Sequence, residues 1–88
     1  MIERTVTIVN TKGLHTRPAA TLVKTAARFQ SDLFIAKDNL EINGKSIIGV
    51  MTLAAEMGST LTIRVEGPDE EAAAEAIVSL FERKFDEE

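Results

Sequence analysis

The sequence predicts an α+β domain in which one antiparallel sheet carries helices on a single face, with elements in the order β-α-β-β-α-β-α. Three observations support this. Residues 5–9 and 60–66 alternate apolar and polar side chains, as strands do when only one side of their sheet is buried. Two longer segments, after His15 and after Asp69, change to helical spacing with one apolar stripe each. Elements of these two kinds bury one another as a sheet covered on one side, an open-faced sandwich. At 88 residues the chain has room for one domain, residues 1–88.

Each element has a local reason. Residues 5–9 run into Asn10, Thr11, Lys12 and Gly13, so a half-buried strand ends there in a turn, with Val6 and Ile8 toward the core. From His15 to Phe29 the residues Ala19, Leu22, Val23, Ala26 and Phe29 recur at helical spacing. Pro18 falls in the first turn, where its missing N–H is tolerated. Residues 33–36 and 40–42 flank Lys37, Asp38 and Asn39 and predict a hairpin. Ser46 then precedes residues 47–53 as an N-cap precedes a helix, and Gly49 limits that helix to about two turns. Leu61, Ile63 and Val65 form the inner face of the fourth strand, which Gly67 and Pro68 end. Asp69 is expected to cap the last helix, Glu70 and Glu71 to face its positive end, and Ala73, Ile77, Leu80 and Phe81 to form its inner stripe. Asp86, Glu87 and Glu88 are expected to fray.

Composition narrows the function. The chain has no Cys, which removes disulfides, thiolate metal sites and thiol nucleophiles and suits a reducing compartment. No apolar run approaches a membrane span, and residues 1–4 do not read as a signal peptide, so a soluble cytoplasmic protein is expected. The net charge of −4 is unevenly spread. Residues 1–65 hold eight of the ten Lys/Arg and five of the fourteen Asp/Glu, a balance of +3, and residues 66–88 carry the remaining −7. Without Trp, Tyr or a dense basic run, nucleic acid is a poor partner for the basic part.

The single histidine, His15, stands where a strand-to-helix turn meets a helix start. Unpaired backbone N–H groups and the helix dipole make such a place a site for anions, here through the backbone of Thr16 and Arg17. Imidazole is a nucleophile through its unprotonated nitrogen, and the Arg17 guanidinium offers a planar fork for phosphoryl oxygens. Gly13 lets the backbone turn tightly beneath the site, and Thr16, Ala19 and Ala20 leave the helix end uncrowded. A structural histidine beside an exposed arginine is the competing explanation, and it does not account for the lack of bulk. The sequence contains no metal-ligand cluster, P-loop or carboxylate pair, so neither a cofactor nor independent turnover is expected.

Gly13-Leu14-His15-Thr16-Arg17-Pro18-Ala19-Ala20 resembles the active-site signature of the HPr proteins of the bacterial phosphoenolpyruvate-dependent phosphotransferase system. Lys45-Ser46-Ile47-Ile48-Gly49-Val50-Met51 is similar to that family's second signature, and the likeness spans the chain. The resemblance implies sheet order 1-4-2-3 with three helices on one face. It also implies phosphorylation of His15 on Nδ1 by the phosphohistidine of enzyme I, then transfer to the IIA domains of sugar permeases, with Arg17 engaging the phosphate. Ser46 either caps its helix only or is also a regulatory site for a serine kinase. In the second case a catabolite-control regulator is a further partner.

Docking surfaces follow from helical spacing. Arg17, Ala20, Thr21, Lys24 and Arg28 fall on one face of the first helix, which continues from His15 and Thr16. Ile47, Ile48 and Met51 are expected to be partly exposed on the second helix, since two turns cannot bury every side and Val50 and Leu53 can serve the core. A monomer is expected. Residues 80–88 resemble the tail of nitrogen-branch relatives of HPr, which makes a regulatory nitrogen phosphorelay the second reading. A regulatory binding module that uses the same surface without relaying phosphate is the third.

Overall fold

Alternation along the strands sets the layering. Val6, Ile8, Leu33, Ile35, Leu61, Ile63 and Val65 are buried under the helices, and their neighbours in sequence face the open side. The computed structural model describes residues 1–86. Its elements are β1 (Ile2–Thr7), α1 (Thr16–Ala27), β2 (Asp32–Lys37), β3 (Leu40–Asn43), α2 (Ile47–Thr52), β4 (Thr60–Glu66) and α3 (Glu70–Glu82), followed by a 3₁₀ turn at Lys84–Asp86. The sheet has the order β1-β4-β2-β3 with every pair antiparallel. The expected α+β open-faced sandwich, its element order and its sheet order are all observed.

Boundaries move where tertiary pairing overrides local pattern. β1 covers residues 2–7, not 5–9, because its ladder with β4 runs from Ile2 opposite Val65 to Thr7 opposite Thr60. Ile8 still reaches the core, and Val9 is exposed. α1 begins at Thr16 with His15 as its N-cap and ends at Ala27, so the expected helical stretch is trimmed at both ends. Lys37 joins β2 opposite Leu40, and the hairpin turn shrinks to Asp38 and Asn39, with Asp38 at φ 55°. α2 ends at Thr52, with Leu53 as its C-cap.

The start of α3 differs in chemistry. Asp69 holds the N-cap position, but at ψ 34° it makes no side-chain cap bond, and its carboxylate accepts from Gln30 and Ser31 across the molecule. Glu70 stands in the first turn as expected, where its Oε1 accepts from the Gly67 N–H at 3.1 Å and its Oε2 from the Met1 ammonium at 3.0 Å. The inner stripe is as expected, with Ala73, Ile77, Leu80 and Phe81 buried.

After α3 the chain does something the sequence did not announce. Lys84, Phe85 and Asp86 adopt successive left-handed conformations, φ 58°, 53° and 61°. Each costs an L-residue roughly 1–2 kcal/mol. Burial of Phe85 offsets that cost: it is 6% exposed and packs edge-on against Phe81 at a centroid distance of 4.9 Å. Asp86 is therefore placed in an ordered turn, contrary to the expected fraying, while Glu87 and Glu88 lie outside the described residues.

Candidate functional site

The turn between β1 and α1 is built around Gly13. Its φ is +67°, and a Cβ there would stand 2.4 Å from the Ala55 carbonyl oxygen, so both conformation and space require glycine. The buried Asn10 closes the turn: its Nδ2 donates to the Gly13 carbonyl at 2.8 Å, and the Gly13 N–H donates back to the Asn10 carbonyl at 3.2 Å. Next along the chain, the Leu14 N–H donates to the Ala55 carbonyl at 2.9 Å while the Leu14 side chain enters the core. These bonds bring the chain to His15 in one fixed direction.

His15 is half-buried, with extended backbone at φ −80° and ψ −169°. Its carbonyl accepts the first helical bond, from Ala19 at 3.0 Å, and its side chain does not cap the helix. The N–H groups of Thr16 and Arg17 meet no acceptor among the described residues, and Pro18 has no N–H. Two main-chain donors thus stand at the positive end of α1 beside the imidazole.

Around this point lies an open depression whose lining brings together all but one of the residues expected at the first-helix surface: His15, Thr16, Arg17, Ala20, Thr21 and Lys24. Arg28, farther along the same helix, does not line it. Thr11, Lys12 and Asp86 do, and sequence reasoning missed them. Thr11 and Lys12 sit in an aperiodic turn, and Asp86 arrives only through the left-handed turn at the chain's end.

α2 supplies the second surface. Ser46 Oγ accepts from the Gly49 N–H at 3.1 Å, so it is an N-cap in fact, and it remains exposed. Val50 and Leu53 are buried, leaving Ile47, Ile48 and Met51 exposed at 38%, 77% and 43%. That division matches the one expected. α2 packs on α1. Among the described residues there is no group of three or more His, Cys, Asp or Glu that could hold a metal, and no helix long and apolar enough to cross a membrane.

Residues 2–83 match the family model described as the PTS HPr component phosphorylation site. The phosphocarrier protein HPr of Treponema pallidum is 50% identical over the full length of both chains. The crystal structure of HPr-C-His from Thermoanaerobacter tengcongensis superposes with a TM-score of 0.96 at 48% identity, covering 100% of this chain and 99% of that one. A third likeness is to Crh, a catabolite-repression protein of Bacillus subtilis whose crystal structure is a domain-swapped dimer. It has a TM-score of 0.77 at 38% identity and covers 96% and 97% of the two chains.

Proposed function

The chain belongs to the HPr phosphocarrier family of the phosphotransferase system, and from that premise we propose that His15 accepts a phosphoryl group on Nδ1 from the phosphohistidine of enzyme I and passes it to the IIA domain of a sugar permease. A phosphocarrier is a stoichiometric relay and not an enzyme. One observation carries the residue assignment: the imidazole leaves its own helix start uncapped, so nucleophile and first-turn donors open on the same cationic depression.

The step is a displacement between two nitrogens. The lone pair on Nδ1 of neutral His15 forms a new N–P bond as the N–P bond on the donor imidazole breaks, and the donor nitrogen recovers its electron pair. No proton has to move for the P–N exchange itself. Such transfers need positioning and charge stabilisation above all. Thr16 and Arg17 offer main-chain N–H groups, the Arg17 guanidinium a bidentate fork, and Lys12 and Lys24 a positive field. Thr16, Ala20, Thr21, Lys24, Ile47, Ile48 and Met51 form the docking surface.

The deciding experiment is incubation with phosphoenolpyruvate and enzyme I. Wild type should acquire an acid-labile, base-stable phosphate that His15→Ala cannot carry, while Arg17→Ala should be phosphorylated far more slowly even at saturating enzyme I. Labelling of His15→Ala would refute the assignment. Onward transfer to a sugar-type IIA domain, in preference to a nitrogen-type one, places the chain in the sugar branch, and the relay acts in the cytoplasm. Sedimentation in the same preparation distinguishes the expected monomer from a swapped dimer like that of Crh.

Ser46 is proposed as a regulatory site for a serine kinase. Its hydroxyl stands exposed at a helix start beside the docking patch, and the chain resembles Crh, a catabolite-repression protein. A catabolite-control regulator is then the partner of the phosphoserine form.

A further inference from the structure

We infer that Lys37 is a positioning residue for phosphoryl transfer: its ammonium clasps the chain where it leaves α2 and so fixes the Ala55 carbonyl, against which the backbone before His15 is set. The inference rests on the relay proposed above. Its first support is that the clasped stretch does not hold itself. α2 has six residues and no basic side chain in its last turn. Leu53 is its C-cap, and Ala54 stands at the next position, which glycine commonly fills. Ala54 takes φ 50°, a left-handed conformation that residues with a Cβ avoid and that persists only where surrounding contacts enforce it.

Lys37 supplies such contacts. It ends β2 on the same face as Leu33 and Ile35, so its side chain points into the helical layer, where it is half-buried. Its Nζ donates to the Leu53 carbonyl at 3.3 Å and to the Ala54 carbonyl at 3.4 Å, 16 and 17 residues away in sequence. A cation there also meets the negative end of the α2 dipole.

The third support is the next residue along. Of three successive carbonyls, Lys37 takes those of Leu53 and Ala54, and the Leu14 N–H takes that of buried Ala55 at 2.9 Å. The same Ala55 oxygen stands 2.4 Å from where a Cβ on Gly13 would lie. A shift of residues 53–55 therefore passes to Gly13 and Leu14, and from them to His15. Lys37 does not line the depression, so it acts on the imidazole through this backbone and not by touching the phosphoryl group. Transfer between two proteins is sensitive to such shifts, since a misplacement of about 1 Å can cost on the order of a hundredfold in rate.

The test pairs transfer kinetics with amide exchange. Lys37→Met keeps the aliphatic stem and removes the donors. Its rate of phosphorylation at saturating enzyme I should fall by on the order of three- to tenfold, with the half-saturating enzyme I concentration within about twofold of wild type. Its Leu14 amide should exchange with deuterium about tenfold faster, while Ile63 in the central strand β4 keeps its protection, which separates local loosening from global unfolding. Lys37→Arg, which restores a cationic donor, should recover both properties. A wild-type maximal rate for Lys37→Met, a loss that disappears near 0.5 M salt as a long-range field effect would, or an unchanged Leu14 exchange rate overturns the inference. Failure of wild type to be labelled on His15 at all would refute the relay itself and any role of Lys37 in it.

Discussion

The carboxylate of Asp69 accepts from the Ser31 N–H at 2.9 Å and from the Ser31 hydroxyl, while the Asp69 N–H donates back to that hydroxyl at 3.2 Å. With a further bond from the Gln30 N–H at 2.9 Å, this exchange ties the turn between α1 and β2 to the start of α3, with Ser31 and Asp69 38 residues apart in sequence.

That tie predicts an acid response. The Ser31 hydroxyl first, and then the Gln30 N–H, hold the Asp69 carboxyl below its usual value of 3.8. Glu70 is likewise lowered from 4.5, by the Gly67 N–H and then by the Met1 ammonium. A carboxyl with a depressed folded value stabilises the fold above its unfolded value and loses that contribution as pH falls through the folded one. Melting temperature should therefore drop as pH falls below about 4. In Asp69→Asn the melting temperature should start lower at neutral pH and fall less steeply on acidification, and parallel curves would show that the tie contributes nothing.

Gly13→Ala combines a disfavoured φ with a collision against the Ala55 carbonyl. It should cost about 2 kcal/mol or more in urea unfolding, and it should slow phosphorylation by displacing His15. Wild-type stability would mean that the 54–58 loop moves aside freely.

Docking should divide into two parts with different salt responses. Lys24→Glu reverses a charge in the depression and should weaken enzyme I binding most at low ionic strength, whereas Met51→Glu spoils the apolar patch and should weaken it at any salt. Titrations at about 0.05 and 0.5 M salt separate the two, and identical salt dependence would contradict the division.

Ser46→Asp keeps an N-cap acceptor at α2, so stability should stay within about 1 kcal/mol of wild type. It also sets a negative charge beside Ile47 and Ile48, so enzyme I should phosphorylate His15 more slowly. Ser46→Ala gives the converse: loss of the bond to Gly49 costs about 1 kcal/mol, with transfer unaffected. An unchanged rate for Ser46→Asp across enzyme I concentrations would remove the regulatory role.

The legible parts of this molecule are those governed by local periodicity. Leu61, Ile63 and Val65 declare an inward strand face on their own, and the exposure of Ile47, Ile48 and Met51 follows from counting turns once Val50 and Leu53 are given to the core. The first-helix cluster was legible because its members are neighbours on one helix face. Asp69 shows where such reasoning stops. An aspartate before a helix looks like a cap, and only the approach of Ser31 from elsewhere in the chain redirects its carboxylate. Asp86 was illegible for a similar reason, since nothing in the residues 84–86 signals three left-handed conformations until Phe85 has a core to enter.

The carbonyl of Ala55 has one more consequence. It follows directly on α2, where the Ala54 N–H still bonds the Met51 carbonyl at 3.1 Å, and it accepts from Leu14, the residue before His15. The proposed docking patch and the proposed nucleophile are thus joined by main-chain bonds, with no adjustable side chain between them. A protein that seats itself on Met51 has its reach to the imidazole measured out in advance. Donors and acceptors of unrelated architecture can all use one carrier if each presents its own reactive atom at that same span, much as tools from different makers fit one gauge.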